Sequence, residues 1–166
     1  MVSNRSDAPG IERALEFGLE VEVLLHRDYA TRADHEARVL RTLREAGVEI
    51  VVLAGYMRKL ESVLLEAYPE SIVNIHPSLL PSFPGVDAQR QALEHGVKVT
   101  GCTVHLVDHT LDDGPILVQR AVAVLDDDTV ETLSARILVE EHIAFVEALM
   151  MLISGVRVAG RRVTSS

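Results

Sequence analysis

The sequence predicts an α/β fold: an open, mostly parallel, Rossmann-like sheet with helices on both faces. Three observations predict it. Short β-branched runs alternate with helical stretches, the order of a doubly wound sheet. Two of those runs, Glu49 to Ala54 (EIVVLA) and Ser71 to Ile75 (SIVNI), are almost continuously apolar, as strands covered on both faces are. The polar residues with chemistry to offer follow them: Gly55 to Arg58 after the first, Asn74 and His76 at the end of the second. Ligands of such sheets bind beyond the carboxyl ends of the strands.

The elements are justified in chain order. Leu19 to Leu25 (LEVEVLL) reads as a strand. Thr31 is a suitable N-cap, and Ala33, Ala37, Leu40, Leu43 and Ala46 recur at helical spacing until Gly47 stops the helix. Glu49 to Ala54 is the next strand, and a short helix spans Leu60 to Tyr68. After the strand Ser71 to Ile75, the segment His76 to Gly85 holds three prolines and reads as a loop. Ala88 to His95 is a short helix ending at Gly96. Val97 to Val107 alternates as a strand, Asp108 to Gly114 turns, and Pro115 to Val124 is a further strand. Thr129 to Gly155 is one long helix, its buried stripe expected near Leu133, Ile137, Glu140, Ile143, Val146, Ala148 and Met151. The tail from Val156 to Val163 is expected to add one edge strand.

Composition bounds the function. The 166 residues read as one domain, with no repeat, low-complexity tract or Gly/Ser linker. Acids outnumber bases 25 to 16, for a formal net charge of −9. That balance argues against a nucleic-acid partner or an anionic membrane surface. No apolar run is long enough to span a bilayer, and no secretory signal opens the chain. The single cysteine, Cys102, excludes an internal disulfide and fits a reducing, cytoplasmic setting. Phosphate-loop, G-x-S-x-G and H-E-x-x-H signatures are absent. His35, His95 and His109 lie among polar neighbours and are expected in solvent.

Two segments carry chemistry. In Asn74-Ile75-His76-Pro77-Ser78-Leu79-Leu80-Pro81, Asn74 and His76 are two apart and share one face of an extended strand. An amide and an imidazole so placed can both donate to an oxyanion developing on a carbonyl. The prolines stiffen the loop behind them. An isolated N-x-H also describes a core asparagine bonded to backbone beside a histidine that ends a strand. In the second segment, Leu111-Asp112-Asp113-Gly114-Pro115, Asp112 can support an imidazole and relay protons; the same residues also compose a plain surface turn. Cys102 and His105 have a C-x-x-H spacing, but an offset of three on a strand puts them on opposite faces. No metal is therefore expected, and Cys102 reads as a small buried hydrophobe. Thr103 and His105 share a face. Glu141-His142 lies mid-helix, where a buried carboxylate needs a partner; an exposed helix face is the alternative.

Taken together these residues resemble the phosphoribosylglycinamide formyltransferases, within the wider formyltransferase family. The resemblance runs from about Val2 to Gly155. It is carried by Ser3-Asn4-Arg5, Leu53-Ala54-Gly55-Tyr56-Met57-Arg58, the Asn74–Pro81 segment, Phe83-Pro84-Gly85, Gly101-Cys102-Thr103-Val104-His105, Leu111–Pro115 and Glu141-His142. Pro77, and Pro84-Gly85-Val86-Asp87-Ala88, point to this branch over the formyltetrahydrofolate hydrolases and the methionyl-tRNA formyltransferases.

The resemblance implies transfer of a formyl group from 10-formyltetrahydrofolate, the co-substrate, to the amine of glycinamide ribonucleotide in purine synthesis. It implies Asn74, His76 and Asp112 as catalytic residues. Met57, Arg58 and Leu60 match the folate-pocket segment, the 108–114 loop with Asp108 and Leu111 closes on the pterin, and Arg32 matches a position near the folate tail. Pro84, Gly85, Asp87 and Glu141 match the substrate side, with Glu141 receiving the amine. Gly101, Thr103 and His105 line the site. The resemblance also implies that a first strand, phosphate loop and helix, about 30 residues, would precede Val2; without that unit, a partner chain in a homodimer is expected to be able to fill the strand position. Two other functions compete: formyltetrahydrofolate hydrolysis, and an inactive folate-binding or oligomerisation module.

Overall fold

A computed structural model describes residues 1–56 and 58–165. The chain divides into two compact units. The first comprises residues 1–48 and 60–67, the second residues 49–59 and 68–166.

In the first unit, β1 (Val2–Ser3) pairs in parallel with β2 (Glu22–Val23). The β2 pairing covers only two residues of the expected Leu19–Leu25 strand. The helix α1 (Pro9–Glu16) has no counterpart in the sequence reading. It is short and buries a single residue, Ala14; proline in its first turn and Ile11, Ala14 and Leu15 at helical spacing are its local signals. The helix α2 (Arg32–Glu45) starts as its sequence requires. Thr31 Oγ1 accepts from the Asp34 N–H at 3.1 Å, and Asp34 Oδ2 accepts from the Thr31 N–H at 3.1 Å, a reciprocal capping box.

The face that α2 buries differs from the alanine stripe. Ala33, Ala37 and Ala46 are exposed, whereas His35 and Glu36 are buried. The expectation that His35 is solvated is therefore corrected. Its Nε2 bonds the Leu24 carbonyl at 2.9 Å, and its ring lies 4.0 Å from that of His26 and 5.2 Å, edge-on, from that of Tyr29. Glu36 accepts the Glu61 N–H at 2.8 Å just before α3 (Ser62–Ala67). Burial pushes the Glu36 carboxyl above the ordinary carboxylate range. Long-range polar partners thus turn a polar face inward, because a buried polar group that is hydrogen-bonded escapes most of its desolvation penalty.

The second unit holds a four-stranded sheet of order β3 (Val51–Leu53), β4 (Ile72–His76), β5 (Val99–Leu106), β6 (Ile116–Ala123). The β3–β4 pair is parallel; β4–β5 and β5–β6 are antiparallel. The sheet is thus open and mixed. β3 is an edge strand of this sheet and is not covered on both faces: Val51 is buried but Val52 is 42% exposed. β5 is covered on both, every residue from Thr100 to Leu106 being buried.

The helix α5 (Val130–Ser154) packs on β5 and β6. Its buried stripe is Leu133, Ile137, Ala144 and Ala148, which meet Val73, Cys102, Val104, Leu106, Leu117 and Val122 in the core. Ile143 and Val146, expected inside, are 41% and 61% exposed. Apolar residues also fill exposed positions of α5, among them Val139, Val146 and Ile153, so composition does not reveal its inner face, and the small residues Ala144 and Ala148 take the close-packed positions. α4 (Ala88–His95) ends at Gly96, as read. The tail forms a hairpin of its own, β7 (Val156–Ala159) and β8 (Arg162–Ser165), in place of one edge strand. Gly160, with φ of 62°, permits its two-residue turn. No helix among the described residues is long and apolar enough to cross a membrane.

Candidate active site

β4 runs one residue further than the apolar run suggests and carries His76 as its last residue. Antiparallel pairing sets Asn74 opposite His105 and His76 opposite Thr103. Two alternating strands therefore present four polar side chains on one face.

Asn74 and His105 meet at 3.3 Å, Nδ2 to Nε2. His105 Nδ1 lies 3.0 Å from the Leu106 carbonyl, which can only accept. That nitrogen therefore carries the proton, and Nε2 accepts from the Asn74 amide. Burial pushes the His105 imidazole below its ordinary value, against the opposing pull of the Leu106 carbonyl and Asp112. A neutral His105 thus orients Asn74.

His76 is 4% exposed. Its Nε2–H donates to the Phe83 carbonyl at 2.8 Å, and its Nδ1 faces Asp112 Oδ2 at 3.6 Å, longer than a hydrogen bond. Asp112 Oδ1 is 4.0 Å from His105 Nε2, and Asp112 Oδ2 accepts the Gly85 N–H at 2.8 Å. One carboxylate therefore addresses both histidines. It is held in a left-handed backbone, φ 50°, a conformation that non-glycine residues keep only where their surroundings impose it. Two residues on, Gly114 presses against the chain: a Cβ there would lie 1.9 Å from the Leu106 carbonyl oxygen.

The loop behind His76 is anchored by residues to which the sequence reading assigned no such task. Thr103, fully buried, donates to the Ser78 carbonyl at 2.7 Å and accepts from the Leu80 N–H at 3.0 Å and from Gln119 at 3.0 Å. Gln119 also donates to the Leu80 carbonyl at 2.9 Å. Ser78 Oγ donates to the Ser82 carbonyl. The Thr103 hydroxyl is thus spent on tying the loop to the sheet. Gly101, also buried, brings β5 and β6 together: a Cβ there would lie 2.0 Å from the Arg120 carbonyl oxygen. The available signal was register, since Gln119 stands directly opposite Thr103.

The remaining candidates are placed as follows. Gly85 reaches Asp112, as described; Pro84 and Asp87 are exposed, and Asp87 precedes α4 in a left-handed conformation. Glu141 on α5 is half-buried, and burial raises its carboxyl while His142 and His76 pull it down. Asp108 turns its own loop, accepting the Thr110 N–H at 2.7 Å, and Leu111 is 62% exposed. Arg58 is exposed. Leu60 and Arg32 belong to the first unit, where Leu60 is buried and Arg32 pairs with Glu61 at 3.4 Å. Met57 lies outside the described residues. Cys102 is buried in the core, its thiol pushed up to about 11 mainly by burial, so it is an inert hydrophobe at neutral pH. Among the described residues no three His, Cys, Asp or Glu side chains are grouped to hold a metal ion.

The depressed His105 imidazole makes stability depend on pH. The folded state binds that proton less tightly than the unfolded chain, whose histidine has an ordinary value of 6.5. Its contribution is therefore full above 6.5 and is lost as pH falls through the lower folded value. The raised carboxyls of Glu36 and Glu141 work in the opposite sense. Thermal melts at pH 7.5, 6 and 5 are expected to show a smaller acid-side loss for His105→Gln than for the parent. Equal losses would remove the assignment of a neutral, buried His105.

Comparison with known proteins shows the family. The formyl transferase family model matches residues 1–149. The chain is 45% identical over 142 residues to the phosphoribosylglycinamide formyltransferase of Bacillus subtilis, covering 86% of this chain and 73% of that protein. It is 43% identical over 165 residues to the trifunctional purine biosynthetic protein adenosine-3 of Drosophila melanogaster, covering 99% of this chain but only 12% of that protein. The crystal structure of glycinamide ribonucleotide transformylase 1 from Symbiobacterium toebii superposes with a TM-score of 0.97 at 50% identity, covering 99% of this chain and 78% of that one. With the family model spanning most of the sequence and both compact units, the chain belongs to the formyl transferase family.

Proposed function

We propose that the chain transfers the formyl group of 10-formyltetrahydrofolate to the amine of glycinamide ribonucleotide. The observation that carries this reading is the convergence of Asn74, His76, His105 and Asp112 at the carboxyl end of β4. The amine nitrogen attacks the formyl carbon, a C–N bond forms, and the carbonyl oxygen becomes an oxyanion. The bond to the folate N10 then breaks; the amine loses a proton and N10 gains one.

The Asn74 amide has one N–H on His105 and one left to donate to that oxyanion. His76 joins it once its ring leaves the Phe83 carbonyl as substrate enters. Asp112 balances positive charge on His76 and relays protons through water. Glu141 receives the substrate amine, with Pro84, Gly85 and Asp87 bordering the nucleotide. Met57, Arg58, Leu60, Asp108, Leu111 and Arg32 serve the folate, and Gly101, Thr103 and His105 build the wall. The same reading puts the reaction in the cytoplasm, without metal or nucleic acid, and admits a homodimer.

The test supplies 10-formyltetrahydrofolate with and without glycinamide ribonucleotide and follows both tetrahydrofolate and formylated product. Equal amounts of each, only when the ribonucleotide is present, are expected. Release of formate regardless of the amine would select hydrolysis. Folate binding by calorimetry without turnover would select the inactive module.

A further inference from the structure

Asp113 follows Asp112, and the two side chains face apart. Asp112 is 10% exposed and turned onto His76, His105 and the Gly85 amide. Asp113 is 48% exposed and turned outward, where its Oδ1 meets the Arg161 guanidinium at 2.6 Å. Arg161 lowers the Asp113 carboxyl, and Asp113 raises Arg161.

Arg161 occupies the tip of the β7–β8 hairpin. That hairpin is a firm support, because Val158 and Val163 pack against the core of the second unit. The 108–114 loop needs one. Its Asp112 sits in a left-handed backbone, and among the described residues the carboxylate has a single hydrogen-bond donor, the Gly85 N–H. With adjacent side chains facing opposite ways, fixing Asp113 from outside also fixes the direction of Asp112 inside.

We propose that Arg161 is a positioning residue: by gripping Asp113 it latches the strained loop to the C-terminal hairpin and keeps the Asp112 carboxylate aimed at the two histidines. The proposal rests on the catalytic role given to Asp112 above. An exposed ion pair adds little to global stability, so a latch and a merely structural contact separate in their readouts.

Arg161→Ala is expected to lower kcat about fivefold, with the melting temperature within about two degrees of the parent's, the small shift an exposed pair gives a chain of this size, and the KM for the ribonucleotide unchanged. Hydrogen exchange at the Gly85 amide is expected to quicken. Arg161→Lys should fall between, and the charge exchange of Asp113→Arg with Arg161→Asp should restore both rate and exchange. Lys98→Ala, which removes a comparable exposed pair with Asp126, should change neither. Unchanged kcat and unchanged Gly85 exchange in Arg161→Ala would overturn the latch. So would a loss of rate that tracks a loss of melting temperature and is not recovered by the charge exchange. If the parent chain shows no formyl transfer, the catalytic reading fails, while exchange at Gly85 still decides whether Arg161 holds the loop.

Discussion

His76→Ala and Asp112→Asn are each expected to lower formyl transfer about 100–1,000-fold, the usual effect of removing one preorganised group at a developing oxyanion. The two variants probe different things. Alanine at 76 removes the imidazole between the Phe83 carbonyl and Asp112, and leaves that carbonyl only the long contact from the Ser78 hydroxyl at 3.4 Å, so some stability is lost with the rate. Asparagine at 112 keeps the shape and can still accept the Gly85 N–H that the aspartate takes at 2.8 Å. It removes the negative charge facing both histidines and turns one acceptor oxygen into an NH2 donor. A large rate loss in Asp112→Asn with an unchanged melting temperature therefore assigns the effect to the carboxylate and not to packing. Steady-state formyl transfer, read beside thermal melts, makes the measurement. Turnover near that of the parent in either variant would sink the catalytic assignment.

Gly101→Ala is expected to lower stability by about 3 kcal/mol, at the upper end of overpacking effects. The site is closed on two sides. The added Cβ would lie 2.0 Å from the Arg120 carbonyl oxygen and 3.0 Å from Leu79 Cδ2. The side chain of Leu79 can turn away; the Arg120 backbone, held in the β5–β6 ladder, cannot do so without opening the strand pair. For a domain of this size the loss corresponds to a fall in melting temperature of roughly 6–12 °C. Activity should suffer beyond the loss of folded protein, because Thr103 and Gln119, which anchor the loop behind His76, face each other on the same two strands. A melting temperature within two degrees or so of the parent's would show that the ladder yields, and that Gly101 is not needed for the close approach.

Local patterns were enough for much of the scaffold. The Thr31 cap, the stop of α4 at Gly96, and the strands that became β4, β5 and β6 all follow from a few neighbouring residues. The N-x-H pair was legible for the same reason: on any strand, residues two apart share a face. The motifs, taken in order, also identified the family.

Partners remote in sequence were not legible. His35 was read as solvated, yet the Leu24 carbonyl draws it inside, and the Glu61 amide holds its neighbour Glu36 there too. Thr103 was read as lining the site, and that Ser78, Leu80 and Gln119 use all of its hydroxyl could not be read from its neighbours in the chain. Nothing near Asp112 in the chain announces that it is held in a left-handed backbone between Gly85 and two histidines, or that its neighbour is gripped from the C-terminal hairpin. Propensity, capping and alternation act over one turn or one strand, so they can be read residue by residue. Burial of a polar group is decided by whether a distant segment brings the complementary donor or acceptor, and only the folded chain supplies that partner.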